Sequence, residues 1–173
     1  RPATARPSTS PPGRDVTGSM LPPRRRLLPM LVVEACDEPG VAIPDDDPAG
    51  VACTIDVGQS GVLSDIEVYL DISHTYIGDL DVDLISPAGT VVALHQMGQG
   101  GTTDDIVGWF PGELTPPGDL GALLGEDIHG TWTLRVVDNG PDDVGTVNAW
   151  CLRLVYPGAP TAVGDGDTPA VLA

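Results

Sequence analysis

Three aspartates in one short stretch are the first candidates for a metal or catalytic site, by their residue type and spacing. The segment HTYIGDLDVDLISPAGT, residues 74–90, places Asp79, Asp81 and Asp83 at every second position. On an extended strand such residues share one face, but at a rise of ~3.3 Å per residue Asp79 and Asp83 stand about 13 Å apart. A calcium ion binds its oxygen ligands at about 2.3–2.6 Å, so one ion cannot bridge that span. Asp81 and Asp83 are therefore predicted to form a solvated strand face.

Asp79 differs from the other two because it follows Gly78 at a junction between a loop and a strand. Two roles stay open for it: its carboxylate caps backbone N–H groups of the HTYIG loop, or it ligates a cation. Loops suit calcium better than strands, since backbone carbonyls there can join the carboxylates. Two further loops carry paired acids, GGTTDDI (100–106) and DNGPDDVG (138–145). The sequence thus nominates six calcium ligands, with Asx-rich turns as the alternative: Asp79, Asp104, Asp105, Asp138, Asp142 and Asp143.

Residues for covalent or acid–base catalysis are sparse. The chain has three histidines, His74, His95 and His129, and no serine after Ser86. It has no Gly-x-Ser-x-Gly nucleophile elbow, no histidine pair at zinc-site spacing and no Cys-x-x-Cys. Ser73 and His74 are chain neighbours, and neighbours on a strand point to opposite faces. The sequence predicts no catalytic residue, and the domain itself is predicted not to be an enzyme.

The charge distribution narrows the class of partner. The 173 residues contain 25 acidic side chains against eight basic ones, all arginine, for a net charge of −17. Six of the arginines precede residue 45, and the remainder holds 21 acids against two arginines, a net charge of −19. A body this acidic repels phosphate backbones, which argues against nucleic-acid binding. The same charge favours uptake of divalent cations that offset self-repulsion.

Three cysteines cannot all pair within one chain. Cys53 and Cys151 lie in strand-like runs, and a bond between them would close a loop of about 100 residues, worth roughly 4–5 kcal/mol in the chain-entropy model. Two buried thiols are an equal alternative. Cys36 is left without a predicted partner. It ends the segment RRRLLPMLVVEAC (24–36), which resembles a secretion signal. If Met20 were the start of the chain, Cys36 would be a lipidated cysteine. A linker is the other interpretation, and no run reaches the ~18 apolar residues of a membrane span. The predicted location is secreted or attached to the cell envelope.

Alternating apolar residues predict the elements that must position these groups. DIEVYLDI (65–72) places Ile66, Val68, Leu70 and Ile72 on one face and polar residues on the other, which is typical of a half-buried antiparallel strand. The sequence therefore predicts an all-β fold, an antiparallel, jelly-roll-like β-sandwich over residues 41–156. Residues 1–40 are predicted to be a disordered linker or degenerate export segment and 157–173 a flexible tail. The predicted strands are 51–57, 65–72, 79–86, 90–95, 131–137 and 147–156, with one helical turn in 118–127.

Three blocks of this pattern carry a family resemblance. They are IPDDDPAGV (43–51), SDIEVYLDISHTYIGDLDVDLISPAGTVVALH (64–95) and GEDIHGTWTLRVVDNGPDDVGTVNAWCLRLVY (125–156). With the motifs H-T-Y-x-G-D-L, S-P-x-G-T, G-x-W-x-L-x-V-x-D and G-x-x-x-x-W-x-L, the chain resembles the P domain, or P/homo B domain, of kexin- and furin-type convertases and bacterial subtilisin-like proteases. The resemblance covers about 115 residues.

The resemblance implies a function and a set of structural residues. Such a domain is non-catalytic; it packs against a subtilisin-like protease domain, in cis or in trans, stabilises or regulates it and responds to calcium. We expect this chain to be a monomer. The turn glycines, turn proline and core tryptophans carried over are Gly78, Pro87, Gly89, Gly130, Trp132, Gly145 and Trp150.

A second function remains open, a stand-alone secreted module that binds a protein or a carbohydrate. Carbohydrate binding requires exposed aromatic rings on one face. The chain has seven aromatic residues. With Trp132 and Trp150 assigned to the core, the possible contacts are Trp109, Phe110 and Tyr76.

Overall fold

The computed structural model describes residues 28–159. The predicted linker 1–40 therefore lies outside the described residues up to residue 27, and the predicted tail 157–173 lies outside them from residue 160. Two short 3-10 helices, Ile77–Asp79 and Leu120–Leu123, interrupt the strands. Within the described part, no helix is long and apolar enough to cross a bilayer. The strands are β1 (Met30–Asp37), β2 (Val41–Ile43), β3 (Asp47–Val57), β4 (Asp65–His74), β5 (Leu80–Ile85), β6 (Val91–His95), β7 (Ile106–Phe110), β8 (Gly130–Asp138) and β9 (Gly145–Pro157).

The strands form two antiparallel sheets packed face to face. One sheet has the order β1-β9-β4-β7, with β2 also pairing with β9, and the other has the order β3-β8-β5-β6. In β4 the predicted inward residues Ile66, Val68, Leu70 and Ile72 are all buried, at 0–3% exposure. The prediction of an all-β antiparallel sandwich is confirmed, because period-2 alternation buries one face of each strand.

The two tryptophans assigned to the core lie fully buried, one in each sheet. Trp132 on β8 and Trp150 on β9 both have 0% exposure. The Nε1–H of Trp132 donates to the Ile128 carbonyl at 3.0 Å, whereas Nε1 of Trp150 has no hydrogen-bond partner among the described residues. Trp132 thus makes a hydrogen bond that Trp150 lacks. Replacing either tryptophan with alanine lowers the free energy of unfolding by about 3–5 kcal/mol.

The sandwich begins earlier than predicted. The segment assigned to a disordered linker or export signal contains β1, which pairs with β9 along its whole length, from Met30 opposite Pro157 to Asp37 opposite Trp150. Val33 and Ala35 of β1 pack against the core. In the sequence this strand resembles one continuous apolar run, because several of its outward residues are also apolar, and the predicted boundary at residue 41 is wrong. The short β7 was likewise missed.

The predicted Cys53–Cys151 bond is also wrong. The disulfide joins Cys36 on β1 to Cys151 on β9, directly opposite each other with a Cα–Cα distance of 4.0 Å. Cys151 stands between the buried Trp150 and Leu152, so alternation turns it to the outer face of its sheet. Cys53 is free and buried in the other sheet, where burial raises the pKa of its thiol. The Cys36 sulfur is in the disulfide, which contradicts the lipidated alternative.

Candidate functional site

A buried histidine–aspartate pair lies at the end of the sandwich where β4 and β8 finish. Nε2 of His74 is 3.1 Å from Oδ2 of Asp138, and both side chains have 0% exposure. Nδ1 of His74 accepts the Tyr76 N–H at 3.1 Å. Because Nδ1 accepts a hydrogen bond, Nε2 carries the ring proton and donates a hydrogen bond to Oδ2 of Asp138. Both ring nitrogens of the imidazole are therefore engaged in hydrogen bonds.

Asp138 was a predicted calcium ligand, and the structure gives it protein partners on both oxygens. Besides the His74 contact, its Oδ1 accepts the Gly140 N–H at 3.1 Å. A cation would have to displace one of these donors from a fully buried carboxylate. Asp138 therefore anchors the start of the loop 138–145, and these contacts disfavour it as a calcium ligand.

Sequence analysis missed the contact between these two side chains, although a signal was present. His74 is in phase with the inward residues of β4, and Asp138 is in phase with Trp132 and Leu134 of β8. Period-2 alternation therefore places both polar side chains on buried faces. Buried polar groups are nearly always hydrogen-bonded, so two of them facing one core predict each other as partners. The long sequence separation between the two residues hid this relationship.

The predicted calcium residues Asp104 and Asp105 lie beside this pair. Asp105 has a positive φ of 60°, and its Oδ1 accepts the His74 N–H at 3.0 Å while its own N–H donates to the His74 carbonyl at 3.1 Å. Both aspartates line a polar pocket of about 250 Å³, which Ser73, Thr75 and residues 144–146 complete. We call this the polar pocket.

The second predicted calcium loop reaches the same end through Thr75. The Thr75 hydroxyl donates to Oδ1 of Asp143 at 2.7 Å and accepts the Val144 N–H at 3.3 Å. Asp142 has a positive φ of 76°, and its N–H donates to Oδ2 of Asp45 at 3.3 Å. The fold thus gathers both acidic loops around the end of β4.

Asp79 contacts the loop 138–145 but does not line the polar pocket. Its N–H donates to the Tyr76 carbonyl at 3.3 Å, and its carbonyl accepts both the N–H and the Nδ2 of Asn139, at 2.9 and 3.1 Å. A Cβ at Gly140 would lie 2.0 Å from Oδ2 of Asp79, so the carboxylate packs closely against that glycine. Asp79 thereby links the end of β8 to the start of β5 through its main chain.

Asp81 and Asp83, predicted to be solvated, both have protein partners. Asp81 accepts the Met97 N–H at 2.8 Å and the Asn139 Nδ2 at 3.0 Å. Asp83 lies 3.6 Å from Arg135, and partial burial, opposed by that arginine, raises the pKa of its carboxyl. Asp79 and Asp81 both contact Asn139, whereas Asp83 contacts Arg135, so the three acids do not share one site.

The donor set fits a calcium ion only in part. Within residues 28–159, no three His, Cys, Asp or Glu side chains are grouped closely enough to hold a metal. Calcium takes six to eight oxygen ligands. The polar pocket supplies the carboxylates of Asp104 and Asp105, and one oxygen of Asp105 already accepts the His74 N–H. Hydroxyls, backbone carbonyls and water would have to complete the shell, which is typical of a weak site.

Three of the predicted structural glycines lie at close approaches that exclude a side chain. A Cβ at Gly145 would lie 2.3 Å from Cδ2 of His74, so this glycine lets β9 pass the buried pair. Gly130 has a positive φ of 124°, and its Cβ would lie 2.9 Å from Pro87. Gly78 lies in the 3-10 helix Ile77–Asp79, where its Cβ would lie 2.7 Å from the Gly101 carbonyl oxygen, and Gly89 lies in the turn before β6.

The aromatic residues of the outer face are half-buried and only partly match those predicted as carbohydrate contacts. Phe110 is buried at 2% exposure and is unavailable to a ligand, so this prediction is wrong, and Tyr76 is half-buried. Trp109 lies on the outer face of its sheet with its ring centroid 5.4 Å from that of Tyr69, which sequence analysis did not single out. The guanidinium of Arg153 stacks 5.0 Å from the Trp109 centroid. We call Tyr69, Trp109 and Arg153 the outer-face cluster.

Comparisons with known proteins place this sandwich among protease-associated modules. The Proprotein convertase P-domain family model matches residues 63–154. The Leupeptin-inactivating enzyme 1 of Streptomyces exfoliatus is 38% identical over 114 residues, covering 64% of this chain and 23% of that protein. The Calcium-dependent protease of Trichormus variabilis is 36% identical over 117 residues, covering 66% and 17%. The Transglutaminase-activating metalloprotease of Streptomyces mobaraensis is 36% identical over 115 residues, covering 65% and 14%.

The chain therefore spans less than a quarter of the length of each of these relatives. Among solved structures, the serine protease of Aeromonas sobria in complex with its chaperone aligns with a TM-score of 0.56 at 17% identity, over 77% of this chain and 28% of that one. The same protease alone aligns with a TM-score of 0.54 at 16% identity, over 78% and 28%. That likeness is one of fold. By the match to its family model, this chain belongs to the proprotein convertase P-domain family.

Proposed function

We propose that this chain is a non-catalytic P-domain module that stabilises or regulates an associated, secreted, subtilisin-like serine endopeptidase. The observation that carries the proposal is the family match together with its setting: the aligned segment is a small part of relatives named as proteases. One of those relatives is named as a metalloprotease, so an experiment must also test whether the partner is a serine protease or a metalloprotease.

The geometry around His74 supports a non-catalytic role. Both of its ring nitrogens are engaged, by Asp138 and by the Tyr76 N–H. The neighbouring Ser73 accepts the Asn148 Nδ2 at 2.8 Å and points to the other face of β4. A serine nucleophile needs a base within about 2.6–3.2 Å of its hydroxyl, and this pair does not provide one.

Secretion is supported by the disulfide between Cys36 and Cys151. Disulfides persist in oxidising compartments and are rare in the reducing cytosol. This bond lies on the outer face of its sheet, where a reductant has access to it.

The proposed function is tested with a protease deprived of its own module. The full 173-residue chain is added to the Calcium-dependent protease of Trichormus variabilis produced without the segment that aligns with this chain. We expect the half-life of peptidase activity at elevated temperature to lengthen, while the chain alone hydrolyses no peptide substrate. The Trp150→Ala variant, with its core plug removed, serves as a poorly folded control. The same experiment is repeated with the Transglutaminase-activating metalloprotease of Streptomyces mobaraensis, also produced without its aligned segment. Peptide hydrolysis by the chain alone, or an unchanged half-life of both proteases, would contradict the proposal.

We further propose that calcium binds in the polar pocket against Asp104 and Asp105. Support comes from the acidic loops gathered there and from relatives named as calcium-dependent proteases. When bound, the ion would supply positive charge that offsets the repulsion between these loops. It would add stability to the end of the sandwich without entering any chemical step.

The outer-face cluster favours one alternative, a module that binds a ligand by itself. Trp, Tyr and Arg are the residues that most often dominate binding energy at protein surfaces, and aromatic rings also stack on sugars. Arg153 is fixed over Trp109 by a 2.8 Å contact with Glu67, so the cluster is ordered before any ligand arrives. Binding to immobilised polysaccharides that is lost in Trp109→Ala would favour this alternative over the accessory role.

A further inference from the structure

A second pocket opens between the two sheets where the edge strands β6 and β7 face each other. Its volume is about 260 Å³, and we call it the edge pocket. Leu94 and Phe110, at 1% and 2% exposure, belong to the core and form part of its lining. Val107, at 54% exposure, stands at its mouth. Its other apolar walls are Ile77, Ile106 and Leu114.

The walls of the edge pocket are fixed by contacts within the protein. Nε2 of His95 donates to the Ile77 carbonyl at 2.9 Å, and His95 is only 8% exposed. A Cβ at Gly100 would lie 2.5 Å from Ile77, so the loop carrying Gly100 packs directly on that wall. The pocket is therefore formed before a ligand enters, which spares the ligand the cost of ordering it.

The size and position of the pocket favour a side chain of a polypeptide over a whole small molecule. Pockets for drug-sized ligands have volumes from about 300 Å³ upward, so the edge pocket suits one apolar side chain. Within residues 28–159, β7 pairs only with β4, and β6 pairs only with β5. The N–H and carbonyl of Trp109 on β7 are already bonded by Glu113 and Leu114, and the Ala93 carbonyl on β6 accepts the Gly118 N–H. An extended segment can therefore pair with the edge of β7 beside Val107 and send a single side chain between the sheets.

The charge around the mouth favours a basic segment. The carboxylate of Asp105 lines the pocket, and Glu113 follows β7 closely, with its Oε2 accepting the Trp109 N–H at 3.0 Å. The two arginines of the described residues are engaged elsewhere, Arg135 with Asp83 and Arg153 with Glu67. An incoming Lys or Arg thus meets no competing cation from the described part of the chain, whereas an acidic segment is repelled.

We propose that the edge pocket receives one apolar side chain of a partner polypeptide whose flanking residues are basic. The proposal deepens the accessory role, and it rests on that role only in requiring that the module engage another polypeptide. It meets the calcium proposal at one residue, since Asp105 lines both the edge pocket and the polar pocket, and peptide binding is therefore measured in EDTA.

Three synthetic tripeptides, blocked at both ends, test the proposal with the full chain. Arg-Leu-Arg carries both features, Glu-Leu-Glu reverses the charge, and Arg-Ser-Arg lacks the apolar anchor. We expect calorimetry to detect Arg-Leu-Arg, with the serine peptide weaker by roughly tenfold or more. Amide NMR shifts are expected at Gln99, Gly100 and Ile106. Equal affinity for all three peptides, or shifts confined to the outer-face cluster or the polar pocket, would overturn the proposal.

Three variants assign the effect to the edge pocket. Thr115→Phe fills its mouth from an exposed position, and we expect it to abolish Arg-Leu-Arg binding at an unchanged melting temperature. Asp105→Asn keeps an acceptor for the His74 N–H and tolerates the positive φ, and we expect it to weaken binding by about threefold. Asp104→Asn is the matched control, because Asp104 does not line the edge pocket. An equal loss in Asp104→Asn, or none in Thr115→Phe, would overturn the assignment.

The same variants separate this proposal from the accessory role. Peptide binding is measured on the chain alone, and the lifetime of the protease is measured with the chain added. If Thr115→Phe loses the peptide yet still lengthens the half-life of the protease, the edge pocket is not the partner contact, while the accessory role stands. If the wild-type chain binds Arg-Leu-Arg but protects no protease, the edge pocket stands and the accessory role fails.

Discussion

His74 and Asp138 join the two sheets of the sandwich through a fully buried contact of 3.1 Å between Nε2 and Oδ2. His74 ends β4 of one sheet, and Asp138 ends β8 of the other. The same histidine takes the Tyr76 N–H on its second ring nitrogen, so the pair also fixes the turn that leads to Asp79. This polar contact therefore links the ends of the two sheets beside the acidic loops.

Removing the histidine should destabilise the fold strongly. His74→Ala leaves the buried Asp138 carboxylate without its side-chain partner, and breaking one side of a buried pair costs about 3–5 kcal/mol. We expect a corresponding loss in the free energy of unfolding measured by urea denaturation. Thr75→Ala, one residue further on and exposed, is the control and should cost less than about 1 kcal/mol. Equal costs for the two variants would show that the buried contact contributes little.

Loss of the disulfide should lower stability more than loss of the free thiol. Cys36→Ser opens a bond between residues 115 apart, and removal of such a cross-link costs typically about 2–5 kcal/mol. Cys53→Ala removes only a small buried group and is expected to cost less. Unfolding in urea measures the stability of both variants. In the wild-type chain, mass spectrometry after alkylation under denaturing conditions should find one free thiol, on Cys53. A second free thiol, or a modified Cys36, would contradict the assigned bond.

Calcium should raise the melting temperature if it binds in the polar pocket. At a hundredfold excess over its dissociation constant, a ligand that binds only the folded state adds ~2.7 kcal/mol. We expect the melting temperature to be higher in calcium than in EDTA, and we expect Asp104→Asn to remove most of the difference. Asp142→Asn is the control, because Asp142 does not line the polar pocket and asparagine tolerates its positive φ. No difference between calcium and EDTA in the wild-type chain would refute this site.

His95 should make the fold less stable in mild acid. Burial lowers the pKa of His95 below its ordinary value, with the hydrogen bond to the Ile77 carbonyl opposing the shift only in part. The unfolded chain therefore binds a proton that the folded chain refuses, and stability falls as the pH drops from about 6.5 toward the lowered pKa. Urea denaturation at a series of pH values from about 7.5 downward should show this loss, and His95→Gln should flatten it. An identical slope in His95→Gln would assign the dependence to other groups.

The alternation of apolar and polar residues was enough by itself to predict that the chain forms two-faced strands packed as sheets. The apolar residues of β4 and β8 recur at every second position, and burying that face against another sheet is the physical outcome for such a strand. The glycine, proline and aspartate turns between the predicted strands were visible for the same reason, since their backbone preferences are local. The family motifs are built from these local features, so the amino-acid sequence alone is enough to recognise the resemblance.

Only the tertiary structure decided which distant residues meet. The sequence favoured Cys53 as the partner of Cys151 and left Cys36 over, whereas strand register placed Cys36 opposite Cys151 and Cys53 in the core of the other sheet. The His74–Asp138 contact and the edge pocket depend in the same way on how two sheets face each other. Periodicity fixes the face on which a side chain lies, but not the strand it will face, because pairing is a property of the whole chain.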